Sequence, residues 1–193
     1  MIFIIILIIL VIILIIPHSK FGVDIMGKNV YNTAFQLGEN YLNIMKENKY
    51  FNLKYPAVMF DIDDTLIAQP SGKPIKPIIK LLNKALRDNL IVLLITARDS
   101  DYLSETIEDL RKHNIKYGFL YLRKDGTDDI RTFKSSIKKK LAEENDIITL
   151  MSVGDNSIDV DGEYSGYYIK LPNHNDPNLY HLNSQGISEI VVN

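Results

Sequence analysis

Short apolar runs recur along this chain, and each stops at a polar residue or turn. Tyr55–Phe60 stops at Asp61, Leu90–Ile95 at Thr96, Tyr117–Leu122 just before Lys124-Asp125-Gly126, and Ile147–Val153 at Gly154-Asp155, with a fifth run at Tyr167–Leu171. A strand that is apolar on both faces must be covered on both, so these runs read as central strands of a parallel sheet. Between them the apolar residues fall at helical spacing: Ile78, Leu81, Leu82 and Ala85, then Leu103, Ile107 and Leu110 with Ser100 as a cap, then Phe133, Ile137 and Leu141. An earlier stretch, Asn29 to about Asn48, carries Val30, Ala34, Leu37, Tyr41 and Met45 in the same rhythm. Strands alternating with helices predict an α/β fold, a Rossmann-like three-layer sandwich around a mainly parallel five-stranded sheet. Ligands of such sheets sit outside the carboxyl ends of the strands, where the sequence places Asp61, Thr96 and Asp155.

Composition narrows the chemistry. The 193 residues supply one domain, taken as 55–193, preceded by a linker and helix at 18–54 and an apolar segment at 1–17. With no cysteine, the chain has no disulfide framework, thiolate zinc site or cysteine nucleophile. A formal net charge of −2 gives no global reason to expect nucleic acid as a partner.

Every residue from Ile2 to Ile16 is Ile, Leu, Val or Phe, and Pro17 ends the run. No Lys or Arg precedes it, and Pro17-His18-Ser19-Lys20-Phe21 offers no small-x-small cleavage site. The expectation is an uncleaved membrane anchor; the alternative is a signal whose removal leaves a secreted or lumenal protein. Lys20 and Lys28 follow the span, which favours a cytoplasmic domain.

The chemistry concentrates after the first strand. Asp61, Asp63 and Asp64 leave it within four positions, and carboxylates so crowded need a cation or proton between them. Oxygen ligands without His or Cys suit a hard ion, and Mg²⁺ takes one or two carboxylates, waters and a phosphate. Asp155 and Asp159, leaving a later strand, can complete its coordination. A carboxylate about 3.5 Å from a phosphate dianion is repelled by about 9 kcal/mol at an effective dielectric of 20, so attack requires cations. With Mg²⁺ and one lysine present, Asp61 can form an acyl phosphate. Asp63 can then protonate the leaving oxygen and later take a proton from water. Thr96 can donate to a phosphoryl oxygen, and Lys134, or Lys138 one turn on, can stabilise the developing charge. His113, His174 and His181 lack ligand spacing and read as surface residues.

Asp61-x-Asp63-x-Thr65, Thr96, Lys134 and Gly154-Asp155-x-x-x-Asp159 stand in the order of the four motifs of the haloacid dehalogenase (HAD) superfamily, which the chain resembles over about Pro56 to Leu171. Within that range Phe60 to Leu66, Ile95-Thr96-Ala97-Arg98, Thr106 to Arg123 and Phe133-Lys134-Ser135 resemble the acid phosphatases of class IIIB, related to plant vegetative storage proteins and bacterial class B enzymes. The resemblance implies a phosphoaspartate intermediate and one Mg²⁺ held by Asp61, the backbone carbonyl of Asp63 and Asp155, with Asp159 in support. Ala97 departs from the Thr-Gly-Arg turn of many relatives, which touches the turn geometry and the role of Arg98. Arg98, Arg123 and Asp64 are candidate supporting groups.

The insertions that build a lid in this superfamily are short here, so a minimal cap and an open site are expected. The segment Ala68 to Pro77, rich in proline, is the expected gate. The expected function is Mg²⁺-dependent hydrolysis of a phosphomonoester, carried on a small molecule or a macromolecule. Two rivals remain: a receiver-type phosphoacceptor, and a membrane-tethered binding module that keeps the fold without catalysis. A receiver presents lysine at its last strand end, whereas this chain presents acids there and adds Asp63, which promotes turnover.

Overall fold

The structure, a computed structural model, describes residues 30–49, 53–124, 129–130, 132–173 and 190–191. The apolar segment at 1–17 therefore lies outside the described residues, as do His174 and His181. In chain order the elements are α1 (Val30–Glu47), β1 (Tyr55–Phe60), β2 (Ile67–Ala68), β3 (Lys73–Pro74), α2 (Lys76–Arg87), β4 (Ile91–Asp99), α3 (Leu103–Lys112), β5 (Phe119–Arg123), α4 (Phe133–Asn145), β6 (Ile147–Gly154), α5 (Ser157–Val160), β7 (Tyr167–Lys170) and β8 (Ile190–Val191). The main sheet has the order β5-β4-β1-β6-β7-β8, every pair parallel. The five expected strands form its body, and the two-residue β8 extends one edge.

Alternation along the central strands explains the three layers. Val58, Phe60, Val92 and Leu94 point into a core shared with α1, α2 and Leu110 of α3. Ala57, Met59, Leu93 and Ile95 point the other way, onto Phe133 and Leu141 of α4. With both faces buried, the strands lose the polar alternation of a half-exposed sheet. The sheet's carboxyl edge then collects Asp61, Thr96 and Asp155, each just past or near the end of its strand.

Three local expectations change. Ser100 caps no α-helix: Ser100–Tyr102 is a 3₁₀ turn, and α3 starts at Leu103 without a side-chain cap. Strand β4 outruns its apolar stretch and continues to Asp99. Thr96 pairs with Leu122 and Asp99 with Arg123, so Ala97 and Arg98 bulge out of the ladder. The segment after Ala68 forms a small antiparallel hairpin, β2–β3, whose tip is tied by the Gly72 carbonyl to His113 Nε2 at 2.9 Å. His113 is thus half-buried and engaged, and the hairpin tip rests near the end of α3.

Candidate active site

Asp61 follows β1 directly, and its N–H bonds to the Val153 carbonyl at 3.0 Å, which locks the end of β1 to β6. Asp155 follows β6. Asp159 sits in the single turn α5, where a reciprocal cap orders the acidic loop. Asn156 Oδ1 accepts from Ile158 N–H at 3.3 Å, and Asp159 Oδ2 accepts from Asn156 N–H at 2.9 Å. Oxygens of Asp61, Asp155 and Asp159, all buried, lie within 4.8 Å of one another. Gly154 makes this approach feasible: a β-carbon there would lie 2.2 Å from that of Asp159.

Lys134, 2% exposed in the first turn of α4, bridges Asp61 Oδ1 and Asp159 Oδ1, both at 2.5 Å. Lys138, the alternative from the same helix, points elsewhere. Its Nζ donates to the carbonyls of Asp159 (3.0 Å) and Asp161 (3.1 Å) and to the Ser165 hydroxyl. Burial pulls the Lys138 amine down to about 7. Within the triad, the three carboxyl groups share one ammonium in direct side-chain contact, that of Lys134. Burial pushes the Asp61 carboxyl well above its ordinary value, Lys134 opposing and Asp159 adding to the rise; burial and then Asp159 push Asp155 up to about 6. Buried carboxyls whose ionisation is opposed by burial and by one another, gathered in an oxygen-only cluster, fit a divalent hard cation.

Thr65 Oγ1 donates to Asp155 Oδ1 at 3.3 Å, and Asn173 Nδ2 donates to Asp155 Oδ2 at 2.5 Å. Lys170 Nζ donates to the Asp155 carbonyl at 2.6 Å. Asn173 and Lys170 carry no motif signal in the sequence; only the fold brings them to Asp155.

The Asp63 carboxylate stands outside the triad. Arg98 grips it with two parallel bonds, Nε to Oδ2 at 2.9 Å and Nη2 to Oδ1 at 2.7 Å, and Gln69 Nε2 adds a third to Oδ1 at 2.8 Å. The far side of the guanidinium is held by Asp109 at 3.0 Å and Thr106 at 3.3 Å, both on α3. The bulge in β4 re-aims Arg98 toward Asp63, and the Arg98 N–H bonds to Thr96 Oγ1 at 3.2 Å. Thr96 is buried, and among the described residues its hydroxyl accepts from Arg98 N–H and donates to none. Arg123 pairs with Asp99 and so braces the end of β4. Asp64 accepts from Gln69 N–H at 2.7 Å and takes a left-handed backbone (φ 52°), a conformation Asp tolerates better than most residues.

Among solved structures, the chain is similar to a chain of the Pnkp1/Rnl/Hen1 complex, with 21% identity, a TM-score of 0.51 and 60% of this chain covered. It spans less than half of that chain, 45%. A class C acid phosphatase from Bacillus anthracis aligns at 16% identity and a TM-score of 0.49, covering 71% of this chain and 67% of that one. No curated protein sequence gives a significant match. A family model, that of HAD superfamily subfamily IIIB (acid phosphatase), matches residues 67–177, starting just after the Asp61 loop and taking in Thr96, Lys134, Asp155 and Asp159. With more than half its length matched, and with the acids, the threonine and the lysine assembled at one edge of a parallel sheet, the chain belongs to the HAD superfamily, subfamily IIIB, the acid phosphatases.

Proposed function

We propose that the chain is a Mg²⁺-dependent phosphomonoester hydrolase that works through a phosphoaspartate on Asp61. The observation that carries this reading is the placement of one buried carboxylate, Asp61, against both Lys134 and the acids Asp155 and Asp159. Asp61, Asp155 and the backbone carbonyl of Asp63 would hold the ion, with Asp159 in support. The ion supplies charge neutralisation for the incoming phosphoryl group. Lys134 fixes the plane of the Asp61 carboxylate and adds positive charge where the transition state gains negative charge. Thr96 donates to a phosphoryl oxygen. Asp63, presented by Arg98, protonates the departing alkoxide and later takes a proton from the water that cleaves the acyl phosphate. Substrates are phosphorylated molecules, and residues 2–16 tether the enzyme to a membrane.

The test is phosphate release from p-nitrophenyl phosphate with Mg²⁺. Steady turnover that Asp61→Asn abolishes is the expected result. A phosphoprotein that accumulates without turnover would favour the receiver-type rival, and no phosphorylation at all the binding module.

A further inference from the structure

Helix α1 enters the domain from the side on which the carboxylates lie, and contacts spread along its length fix its direction. Near its end, Lys46 Nζ meets Asp88 at 2.9 Å, and Asp88 closes the foot of α2, remote from the acidic edge. Farther back, Tyr41 stacks on Tyr167, the first residue of β7, with ring centroids 4.1 Å apart. Gly38 lies against Ile169, two residues further toward the carboxyl end of that strand. Tyr31, in the first turn, lies close enough to Asp64 and Asp155 for their charge to add to the upward push of burial on its phenol. Helix α1 therefore runs antiparallel to the strands, and Val30 stands at the acidic mouth. Val30 is also the residue at which the preceding chain, with its run Ile2–Ile16, joins the described domain.

We propose that this arrangement turns the acidic site toward the membrane that holds Ile2–Ile16, and that its substrates are phosphomonoesters borne on lipid headgroups at that surface. The inference rests on the phosphatase and anchor readings proposed above. Thirteen residues, 17–29, separate the run from Val30 and serve as the tether in this proposal. A stretch of that length spans about 20 Å as a random coil and about 45 Å at full extension. A domain of this size is about 35 to 40 Å across. The face that carries Val30 is thus the face the tether keeps near the bilayer. To present the opposite end, the tether would have to wrap the domain almost fully extended.

The same edge carries large apolar groups suited to a bilayer interface. Tyr102 and Leu103, just after β4, are 59% and 45% exposed, and Ile130, just before α4, is 46% exposed. Ile44, Leu53, Tyr55 and Phe119 are exposed toward the other end, so apolar exposure alone does not choose the face; the direction of α1 does. Lys20 and Lys28, set against Asp24, leave the tether a small net positive charge toward anionic headgroups. The reaction is plain hydrolysis. The bond between phosphorus and the lipid oxygen breaks, the lipid alcohol leaves with a proton, and water supplies the fourth oxygen of inorganic phosphate.

The test uses the full chain in phosphatidylcholine vesicles containing dioleoyl phosphatidate and Mg²⁺. Because the chain has no cysteine, single labels can be placed at Asp101→Cys, beyond the end of β4, and at Glu144→Cys, near the far end of α4. Nitroxide headgroup lipids should quench the first label and spare the second. Inserting about 40 Gly and Ser residues between Gly22 and Val23 should leave p-nitrophenyl phosphate turnover unchanged and slow vesicle phosphatidate hydrolysis about tenfold, as the effective concentration falls. Stronger or equal quenching at Glu144→Cys, no effect of the insertion, or faster hydrolysis of soluble dihexanoyl phosphatidate than of the vesicle lipid would overturn the proposal. Failure of the underlying readings has its own signatures, each also overturning it. Lack of p-nitrophenyl phosphate turnover sinks the phosphatase, and turnover by a chain that does not float with vesicles sinks the anchor.

Discussion

Asp63, to which the proposed mechanism gives the proton transfer, is aimed by Arg98 from behind. Two bonds from a planar guanidinium fix the orientation of the Asp63 carboxylate, and Asp109 and Thr106 hold the guanidinium in turn. If Asp63 delivers the proton to the leaving group, removing its clamp should matter in proportion to how much the leaving group needs that proton. Arg98→Met should lower turnover of an alkyl phosphate about 10- to 100-fold and of 2,4-dinitrophenyl phosphate only a few-fold. Equal losses on both substrates would show that Arg98 serves the fold alone. The residues at strand ends, Asp61, Thr96 and Asp155, are legible because an apolar run points to each. The Arg98 clamp is not, since its partners stand 35 and 11 positions away and only the bulge in β4 turns the side chain toward Asp63.

Among the elements, α1 and α2 are joined by an ion-pair cluster at the foot of the domain. Asp88 accepts from Lys84 at 2.6 Å and from Lys46 at 2.9 Å. Burial pushes its carboxyl up, but the two lysines outweigh burial and hold it below its ordinary value of 3.8. A folded value below the unfolded one means stability that is present above the unfolded value and lost as pH falls through the folded one. Asp88→Asn should therefore cost about 1 kcal/mol at pH 7, and the gap to the parent should close toward pH 3. Urea unfolding at the two pH values measures this, and a gap independent of pH would exclude the ion pairs as its source. The four longer helices are legible from spacing, α1 to within about a residue at each end, whereas the single turn α5 carries too few residues to show a period. The hairpin β2–β3 is not, because each strand is two residues long and the turn is rich in breakers. The overrun of β4 is hidden for a related reason: after Ile95 the chain turns polar, and the signal that marks a buried strand stops while the strand goes on.

For the molecule as a whole, the buried acids of the site would link folding to the proposed cation. An ion that binds only the folded chain, at about a hundred times its Kd, adds about 2.7 kcal/mol. For a domain of this size that is on the order of 5 to 10 °C in Tm. Mg²⁺ should raise the Tm by this amount and a chelator should reverse it, with activity lost in parallel; a Tm indifferent to both would remove the ion from the site. The parallel architecture is legible because both-face burial writes continuous apolar strands, whereas the grouping of Asn173 and Lys170 around Asp155 exists only after the last strands dock.

Gly154 shows how far this crowding reaches. It has no side chain to offer a substrate, yet no other residue leaves Asp159 its space. In a saturation scan scored by phosphate release, position 154 should tolerate substitution as poorly as Asp61 itself, and even Gly154→Ala should fall among the nulls.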